Sequence, residues 1–260
     1  MRIVVCVKQV LDPRGIAVNR KAEKIFINRE EYILDPACKA ALQVAAGIKA
    51  ALTASNGATP PEIVALSIGP ARADDALREA MGLGADRAIL LADAAFEKAD
   101  ALVAATALAA AIRRIGPVDL ILLGTRSLDT GSGEMASRLA ETLDLPQVLE
   151  AVSIEAVPGR VTVVYRSGKS FFKTEVALPA VVSVVPEAFE AGLPDGWRLM
   201  DAYTRGVVAT WGAADLGLAN EDCRPMSAKK EDAVPPERQL GTKVRDSSEI
   251  ITLLRRERLI

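Results

Sequence analysis

The residues best suited to chemistry form a short polar stretch, TRSLDTGSG at positions 125–133, between an apolar run and a helical pattern. Gly131 and Gly133 would let a ligand approach the backbone closely, and Ser132 could cap the following helix or bind an oxygen. The N-terminus of a helix offers unpaired N–H groups and the positive end of a dipole to an anion. The stretch therefore predicts a phosphate site, although its composition also fits an ordinary loop with a serine cap.

Several known motifs are absent around this stretch. No Gly-Lys-Ser/Thr follows it, so it is not a P-loop, and it is not the GxSxG turn of hydrolases. The GxGxxG fingerprint of a dinucleotide-binding Rossmann domain does not follow the first apolar run. The phosphate site, if present, is therefore of another type.

The residue composition limits the chemistry that the chain can perform alone. The 260 residues include no histidine, which excludes Ser-His-Asp and Cys-His catalysis and His-ligated zinc within this chain. Ser132 has no base to activate it, so we predict no catalytic residue, and any redox chemistry needs a bound cofactor. Cys6, Cys38 and Cys223 show no CxxC spacing, which predicts neither a metal site nor a disulfide and favours a reducing compartment.

Charge and hydropathy indicate a soluble, cytoplasmic protein. The net charge of −2 gives no sign of nucleic acid binding. The apolar run at the N-terminus meets Lys8 at once, so it is too short for a signal peptide or a membrane span.

Buried-strand patterns and helical patterns alternate through the first 148 residues, a region that we expect to form a parallel core. Strands are predicted at residues 3–7, 63–68, 88–91 and 118–123, and helices at 37–54, 71–83, 100–115 and from 135 onwards. Asp35 and Pro36 suit the N-cap and first position of the first helix. This alternation predicts an α/β fold with an open, mainly parallel, Rossmann-like sheet and helices on both faces, which binds ligands at the carboxyl ends of its strands.

The pattern changes after residue 148. Runs with period two at 152–154, 161–165, 171–176 and 181–185 predict a β-ribbon extension within residues 149–217. We expect a loop at 8–20, a short edge strand at 24–28, an irregular segment at 186–206 and a last strand at 207–211.

The C-terminal residues 218–260 are predicted to form an arm outside the 1–217 domain. Residues 220–245 are mostly polar and interrupted by prolines, which indicates a segment that lies along a partner or is disordered. Asp246 and Glu249 then suit a capping box for an amphipathic helix, and such a helix is expected to dock on a partner subunit.

Several segments in order resemble one family. They are RIVVCVKQV at 2–10, SIGPARADDALREAMGLGADRAILLAD at 67–93, DLILLG at 119–124 with S-x-D at 127–129, LPAVV at 178–182 and the terminal helix. Across essentially its whole length the chain resembles the beta subunit of electron transfer flavoproteins, including the FixA-like proteins.

The resemblance implies an electron-carrying role in a heterodimer. In that family the alpha subunit holds the redox-active FAD, and electrons pass from flavoprotein dehydrogenases to an acceptor such as a quinone oxidoreductase. The beta subunit binds AMP in most members and a second FAD in the electron-bifurcating ones, which oxidise NADH, and its arm embraces alpha. A stand-alone adenine-nucleotide-binding regulatory protein is the competing interpretation.

The resemblance also implies a set of nucleotide-binding residues. The backbone N–H groups of residues 129–134 would face the phosphate, and Cys6 and Ile68 would line the adenine. The full set is Cys6, Asp35, Pro36, Ala37, Cys38, Ile68, Arg126, Ser127, Leu128, Asp129, Thr130, Gly131, Ser132, Gly133, Glu134, Met135, Ala136 and Ser137.

Two parts of the sequence depart from the family pattern. The family usually has Gln at the position of Arg126, Asp-Gly-Asp or an acidic triplet at 129–131 and Gln-x-Gly at 134–136, so the loop sequence does not decide between AMP and FAD. Arg126 either adds charge to a phosphate contact or pairs with Asp129.

The partner-docking loop of the family, often Asn-Glu-Pro-Arg-Tyr, is replaced by residues that include Phe189, Leu193, Gly196 and Trp197. Gly196 stands where an apolar anchor is expected, so we expect Leu193 or Trp197 to serve instead.

Overall fold

The computed structural model describes residues 1–19, 21–22, 24–54, 59–227, 234, 241 and 243–260. Its strands are β1 (Arg2–Cys6), β2 (Gln9–Leu11), β3 (Ile16–Asn19), β4 (Lys24–Ile27), β5 (Tyr32–Leu34), β6 (Glu62–Ile68), β7 (Arg87–Leu91), β8 (Leu120–Gly124), β9 (Gln147–Val157), β10 (Arg160–Ser167), β11 (Ser170–Ala177), β12 (Ala180–Val184) and β13 (Val208–Trp211). Its α-helices are α1 (Pro36–Ala54), α2 (Asp74–Gly82), α3 (Ala101–Ile115), α4 (Met135–Leu143), α5 (Gly196–Thr204) and α6 (Ser247–Arg256).

A nine-stranded sheet forms the centre of the described chain, in the order β11-β10-β9-β12-β8-β1-β6-β7-β13. The strands from β9 to β13 in this order pair in parallel, while β10 and β11 continue the sheet in antiparallel fashion. The predicted α/β class is confirmed. Of the predicted ribbon, β10 and β11 continue the sheet at one edge. The run at 181–185, expected in the ribbon, instead forms β12, which pairs in parallel between β9 and β8 inside the sheet.

Both faces of the sheet are covered, which explains why its strands are apolar without alternation. On β1, Ile3 and Val5 pack in the layer that contains α1 and α2, whereas Val4 packs on the opposite face with α3 and α4. All three side chains are fully buried. A continuous apolar run is therefore what this position in the sheet requires.

Two local predictions are wrong, whereas the short edge strand expected at 24–28 is confirmed as β4, in a separate two-stranded sheet with β3. Residues 8–20, expected as a loop, contain β2, which pairs with β5, and β3, which pairs with β4. Residues 186–206, expected to be irregular, contain α5, because Asp195 caps that helix through a 2.8 Å bond from the N–H of Arg198.

The described chain divides into two units. The larger contains Met1–Gly15 and Arg29–Lys230, with the nine-stranded sheet. The smaller contains Ile16–Asn28 and Glu231–Ile260, with the β3–β4 hairpin and α6. The boundary expected near residue 217 stays a prediction, and much of the polar segment 220–245 lies outside the described residues.

The terminal helix begins as its sequence indicates. Asp246 Oδ1 accepts hydrogen bonds from the N–H groups of Ser248 and Glu249, at 2.9 and 3.0 Å. Glu249 reaches back, but to the N–H of Arg245 rather than to that of Asp246. In the part of the chain that the structure describes, no helix is long and apolar enough to cross a membrane.

Candidate functional site

The candidate site lies where the order of the parallel strands reverses. The chain proceeds from β1 to β6 and β7 on one side, and then returns through α3 to β8 on the other side of β1. Cys6, Ile68 and Gly124 end β1, β6 and β8, so they lie at the same edge of the sheet. In open α/β sheets, ligands bind at such a switch point.

The first turn of α1 lies directly against the end of β8. A Cβ atom at Gly124 would lie 2.8 Å from the carbonyl carbon of Ala37, and closer still to its side chain. Only glycine therefore allows this approach without a shift of the backbone. The contact brings the N-terminus of α1 beside the loop that follows β8.

Asp35 fastens α1 to that loop. Its carboxylate is 1% exposed. Oδ1 accepts a hydrogen bond from the N–H of Ala37 at 2.8 Å, which caps α1, and Oδ2 accepts one from the N–H of Leu128, also at 2.8 Å. Both oxygens are thus used within the protein, so Asp35 positions the site rather than contacting a ligand through its side chain.

Pairing of β2 with β5 places Asp35 beside the end of β1. The Asp35 N–H donates to the carbonyl of Lys8 at 3.0 Å, directly after this two-stranded sheet ends. Lys8 Nζ in turn forms an ion pair with Asp129 Oδ2 at 2.5 Å. Lys8 is a site residue that we did not predict, although its place directly after the first strand run was a usable signal.

The loop between β8 and α4 is closed by its own hydrogen bonds. The Gly131 N–H donates to the carbonyl of Ser127 at 3.0 Å, and the Thr130 N–H donates to Asp129 Oδ1 at 2.7 Å. Gly131 and Gly133 take positive φ values of 62° and 70°, the left-handed conformation that glycine adopts most easily. The loop is thereby closed just before α4 begins at Met135.

Those N–H groups are the main chemical feature of the site. From Ser132 to Ser137, none of the six backbone N–H groups donates to an acceptor in the described part of the chain. The run lies further along than the 129–134 stretch expected from sequence, because Thr130 and Gly131 are bonded within the loop. An isolated helix leaves about four such groups unpaired, so this loop adds to the ordinary supply.

No side chain of the loop caps α4. Glu134 occupies the N-cap position without a side-chain hydrogen bond, and its carboxylate pairs instead with Arg138 at 2.7 Å. Of the two roles expected for Ser132, the helix cap is not formed, because Glu134 stands at the N-cap position, and the binding of an oxygen stays a prediction. By contrast, α1, α3 and α5 are capped by aspartates.

The charges around the loop are paired, with one exception. Asp129 is held by Lys8, so the pairing of Arg126 with Asp129 is not formed. Burial raises the pKa of Asp129, but the hydrogen bond and charge of Lys8, together with hydrogen bonds from Ser127 and from the Thr130 N–H, outweigh burial and hold the pKa below its usual value. Arg126 is exposed and has no ion-pair or hydrogen-bond partner among the described residues.

The two cysteines near the strand ends are inert. Burial raises the pKa of the Cys6 thiol to about 12, and it also raises that of Cys38 in the first turn of α1. Both are therefore neutral thiols at physiological pH, with little nucleophilic character. Cys6 and Ile68 suit the apolar lining of an aromatic base.

The four residues expected to dock a partner lie around the start of α5. Leu193 and Trp197 are 94% and 78% exposed, whereas Phe189 packs against the core and Gly196 opens the helix. Met200, three residues after Trp197, continues the exposed apolar strip on the same side of α5. This spacing is visible in the sequence, but it indicates a shared surface only once the segment is known to be helical.

Two cavities lie apart from the loop. They measure about 410 and 520 Å³, and α1, α2 and α5 contribute to their walls. No residue of the 125–137 loop lines either one.

Comparison with known proteins assigns the family. Residues 24–216 match the electron transfer flavoprotein domain. The chain is 32% identical over 224 residues to the Caffeyl-CoA reductase-Etf complex subunit CarD of Acetobacterium woodii, covering 86% of this chain and 82% of that protein. It is 34% identical over 232 residues to Protein FixA of Rhizobium meliloti, covering 84% and 75%. It is 30% identical over 260 residues to the electron transfer flavoprotein subunit beta of Megasphaera elsdenii, covering 96% and 94%. The chain therefore belongs to the electron transfer flavoprotein family, among its beta subunits and FixA-like proteins.

Proposed function

We propose that this chain is the beta subunit of a heterodimeric electron transfer flavoprotein. Electrons would pass from a flavoprotein dehydrogenase to the FAD of the alpha subunit, and then to an acceptor such as a quinone oxidoreductase. The chain has three free cysteines and no histidine, so its own side chains offer no redox centre. Its free thiols support a cytoplasmic location.

The observation that carries the proposal is the run of six free N–H groups at residues 132–137. Such a run at a helix N-terminus is a strong phosphate-binding arrangement. Asp35 and Gly124 hold it beside the strand ends where Cys6 and Ile68 offer an apolar surface. These features fit an adenine nucleotide, with the phosphate at residues 132–137 and the base near Cys6.

The nucleotide is either AMP with a structural role or a second FAD. AMP would supply no redox chemistry, whereas a flavin would supply electron transfer and permit the bifurcating function with NADH. In either case, the residues of this chain bind and orient the nucleotide. Leu193, which precedes α5, and Trp197, in the first turn of α5, would contact the dehydrogenase.

The name of the Acetobacterium woodii relative describes a complex of a reductase with an electron transfer flavoprotein. A comparable assembly with a flavoprotein partner is part of our proposal. The exposed apolar strip on α5 supports it, because a contiguous apolar surface of this kind commonly marks a protein–protein contact.

The test is to co-express this chain with its alpha-type subunit, purify the complex, denature it and quantify the released nucleotides. One FAD and one AMP per heterodimer would support the single-flavin carrier, and two FAD would support the bifurcating form. If no complex forms and the chain alone retains an adenine nucleotide, the proposal fails in favour of a stand-alone regulatory protein.

A further inference from the structure

The cavity of about 410 Å³ lies among β2, β5, α2 and α5, and none of its lining residues belongs to the nucleotide site. Leu34, Ala76 and Leu199 contribute apolar side chains to its walls, whereas Asp75 and Tyr203 contribute polar atoms. Ligand pockets in proteins commonly begin at about 300 Å³, so this cavity is large enough for a long side chain.

The walls of the cavity are fixed by hydrogen bonds within the chain. The Asp195 N–H donates to the carbonyl of Gly82 at 3.0 Å, which holds the start of α5 against the end of α2. Arg78 of α2 donates to two carbonyls near the end of α5. Gln9 of β2 donates to the carbonyl of Arg72, just before α2, at 2.8 Å. A cavity that is already formed loses little conformational entropy when it is filled.

Asp75 carries a negative charge that the described residues do not neutralise. Glu79, the other carboxylate of the cavity wall, pairs with Lys39 at 2.6 Å. Asp75 instead accepts a hydrogen bond from the Tyr203 hydroxyl at 3.3 Å, and it has no cationic partner in the part of the chain that the structure describes. A basic group that entered the cavity would therefore meet a carboxylate free to pair with it.

The charges around the cavity leave this area negative. Asp74 pairs with Arg78 at 2.5 Å. Glu30 accepts a hydrogen bond from the Tyr32 hydroxyl at 2.8 Å, and it too has no cationic partner among the described residues. Arg72 lies over the Tyr32 ring, with its Cζ atom 4.1 Å from the ring centroid, and pairs with no carboxylate within the described ranges. Two carboxylates, counting Asp75, thus remain against one guanidinium group.

The cavity adjoins the exposed apolar strip at the start of α5. Tyr203 belongs to the cavity wall, is 54% exposed and follows Met200 by three residues, as Met200 follows Trp197. Pro194, which follows the exposed Leu193, borders the cavity as well. A protein that covers the apolar strip would therefore also reach the cavity. Apolar contacts at the centre with charged contacts beside them are typical of protein–protein interfaces.

We infer that this cavity receives a basic side chain, arginine or lysine, of the flavoprotein dehydrogenase that docks on α5. The inference deepens the proposed function and rests on it, because docking of a dehydrogenase is part of that proposal. Asp75 would pair with the charged group, while Leu199 and the Tyr203 ring would contact its aliphatic stem. Asp75 is therefore a residue that determines partner specificity, since a partner without a basic side chain here leaves the carboxylate unmatched.

The experiment measures stopped-flow reduction, by the dehydrogenase, of the complex of this chain with its alpha-type subunit. The variants are Asp75→Asn, which keeps the shape of the side chain but removes its charge, and Glu175→Gln. Glu175 lies on β11 and is 3.8 Å from Arg160, so it provides a matched loss of one negative charge away from the cavity. Rates are compared at low salt and at about 0.5 M salt, where charges are screened beyond a few Å.

We expect Asp75→Asn to lower the second-order rate constant of reduction by on the order of 3- to 10-fold at low salt, because a charged pair at the edge of an interface acts on association. At about 0.5 M salt the difference should shrink to less than about 1.5-fold. Glu175→Gln should stay within about 1.5-fold of wild type at both salt concentrations.

A small probe tests the cavity without a dehydrogenase. N-acetylarginine amide carries the guanidinium group, and N-acetylcitrulline amide is its uncharged counterpart. In NMR titrations of the complex at fixed ionic strength, we expect the arginine probe to shift the amide signals of Asp75, Ala76 and Tyr203, and the citrulline probe to leave them unchanged. Asp75→Asn should abolish the response of Ala76 and Tyr203 to the arginine probe.

The inference is overturned if Asp75→Asn and Glu175→Gln are reduced at equal rates at low salt, or if the two probes shift the same signals equally. A slower reduction of Trp197→Ala, together with a wild-type rate for Asp75→Asn, would overturn the inference and leave the proposed function intact. If the dehydrogenase does not reduce the wild-type complex, the proposed function fails and the inference fails with it.

Discussion

At the scale of single residues, the site depends on one buried carboxylate with two partners. Asp35 caps α1 with one oxygen and holds the loop at Leu128 with the other. A buried N–H that loses its acceptor keeps the cost of desolvation, so removal of this side chain affects both elements at once.

We predict that Asp35→Ala lowers the free energy of unfolding by about 2–3 kcal/mol and reduces the beta-site nucleotide that co-purifies, because two charge-assisted hydrogen bonds are lost. Asp35→Asn keeps a single acceptor oxygen, so its losses should be smaller. Urea unfolding and nucleotide extraction measure the two effects. Wild-type nucleotide content in Asp35→Ala would show that nucleotide binding does not need the hydrogen bond from Leu128 to Asp35.

A second residue-scale prediction concerns the close contact between β8 and α1. Gly124→Ala places a methyl group within 2.8 Å of the Ala37 carbonyl carbon. We expect a loss of stability of about 1–3 kcal/mol and a lower nucleotide content, because α1 must move away from the loop.

The control is Gly47→Ala, at an exposed position of α1 where a Cβ atom would meet nothing within 4 Å. It should raise stability by about 0.5–1 kcal/mol, since alanine favours a helix over glycine. Equal stabilities of the two variants in urea unfolding would contradict the proposed contact.

At the scale of elements, α5 is held firmly while its outer side is left open. The Arg198 side chain donates to the carbonyls of Met81 and Ala85 at 3.2 and 3.0 Å, at the C-terminal end of α2. Arg78 of α2 donates to the carbonyls of Ala202 and Gly206 near the other end of α5. A rigid helix with exposed Trp197 and Met200 suits a preformed docking surface.

We predict that Trp197→Ala slows reduction of the complex by its dehydrogenase at least about 10-fold while leaving the melting temperature within about 1 °C, because the indole is an exposed anchor rather than part of the core. Stopped-flow reduction and thermal unfolding measure the two quantities. Met226→Ala, at a side chain that is 84% exposed in another segment, is the control and should change neither. If Trp197→Ala is reduced at the wild-type rate, Trp197 is not an anchor and the proposal that α5 docks the dehydrogenase is contradicted.

The start of the C-terminal arm depends on Asp100 at the N-terminus of α3. Oδ1 of Asp100 caps that helix, while Oδ2 accepts hydrogen bonds from the N–H groups of Met226 and Ser227 at 2.8 and 2.9 Å. The hydrogen bond from the N–H of Val103 is the largest of several that lower the pKa of Asp100 to about 2.

Because this pKa is lowered in the folded state, the stabilising contribution of Asp100 is present above its ordinary value of 3.8 and is lost as the pH falls through about 2. We expect Asp100→Ala to cost about 1 kcal/mol at neutral pH, through the lost helix cap. The difference from wild type in unfolding experiments should shrink as the pH falls from 3.8 to about 2, and disappear below about 2. Limited proteolysis should also cut Asp100→Ala faster near residue 227, and a pH-independent difference would contradict this role.

At the scale of the whole molecule, the elements that could be predicted from sequence are those defined by short apolar runs or by local capping residues. The parallel strands follow from runs such as residues 120–123, buried on both faces, and the start of α1 follows from Asp35 and Pro36. The helix α5 was missed because Pro194 and Gly196 resemble a turn, while the packing of Ala202 against α2 depends on distant residues. The pairing of β2 with β5 is likewise non-local.

In the candidate site, too, local features could be predicted from sequence, whereas contacts between distant residues could not. The strand ends, the glycines and the loop could be identified from sequence and family resemblance. Sequence did not reveal that Lys8 neutralises Asp129, or that bonds inside the loop move the free N–H groups to residues 132–137. Both features depend on the folded loop.

The most direct test of the central claim is hydrogen–deuterium exchange of the complex with its alpha-type partner, freed of beta-site nucleotide and then measured with and without added ADP. The proposed site predicts slower exchange of the amides at 132–137, since these free N–H groups become hydrogen-bonded to phosphate. No change is expected in α5. Unchanged exchange at 132–137, or protection confined to the cavities bordered by α2 and α5, would show that the nucleotide binds elsewhere.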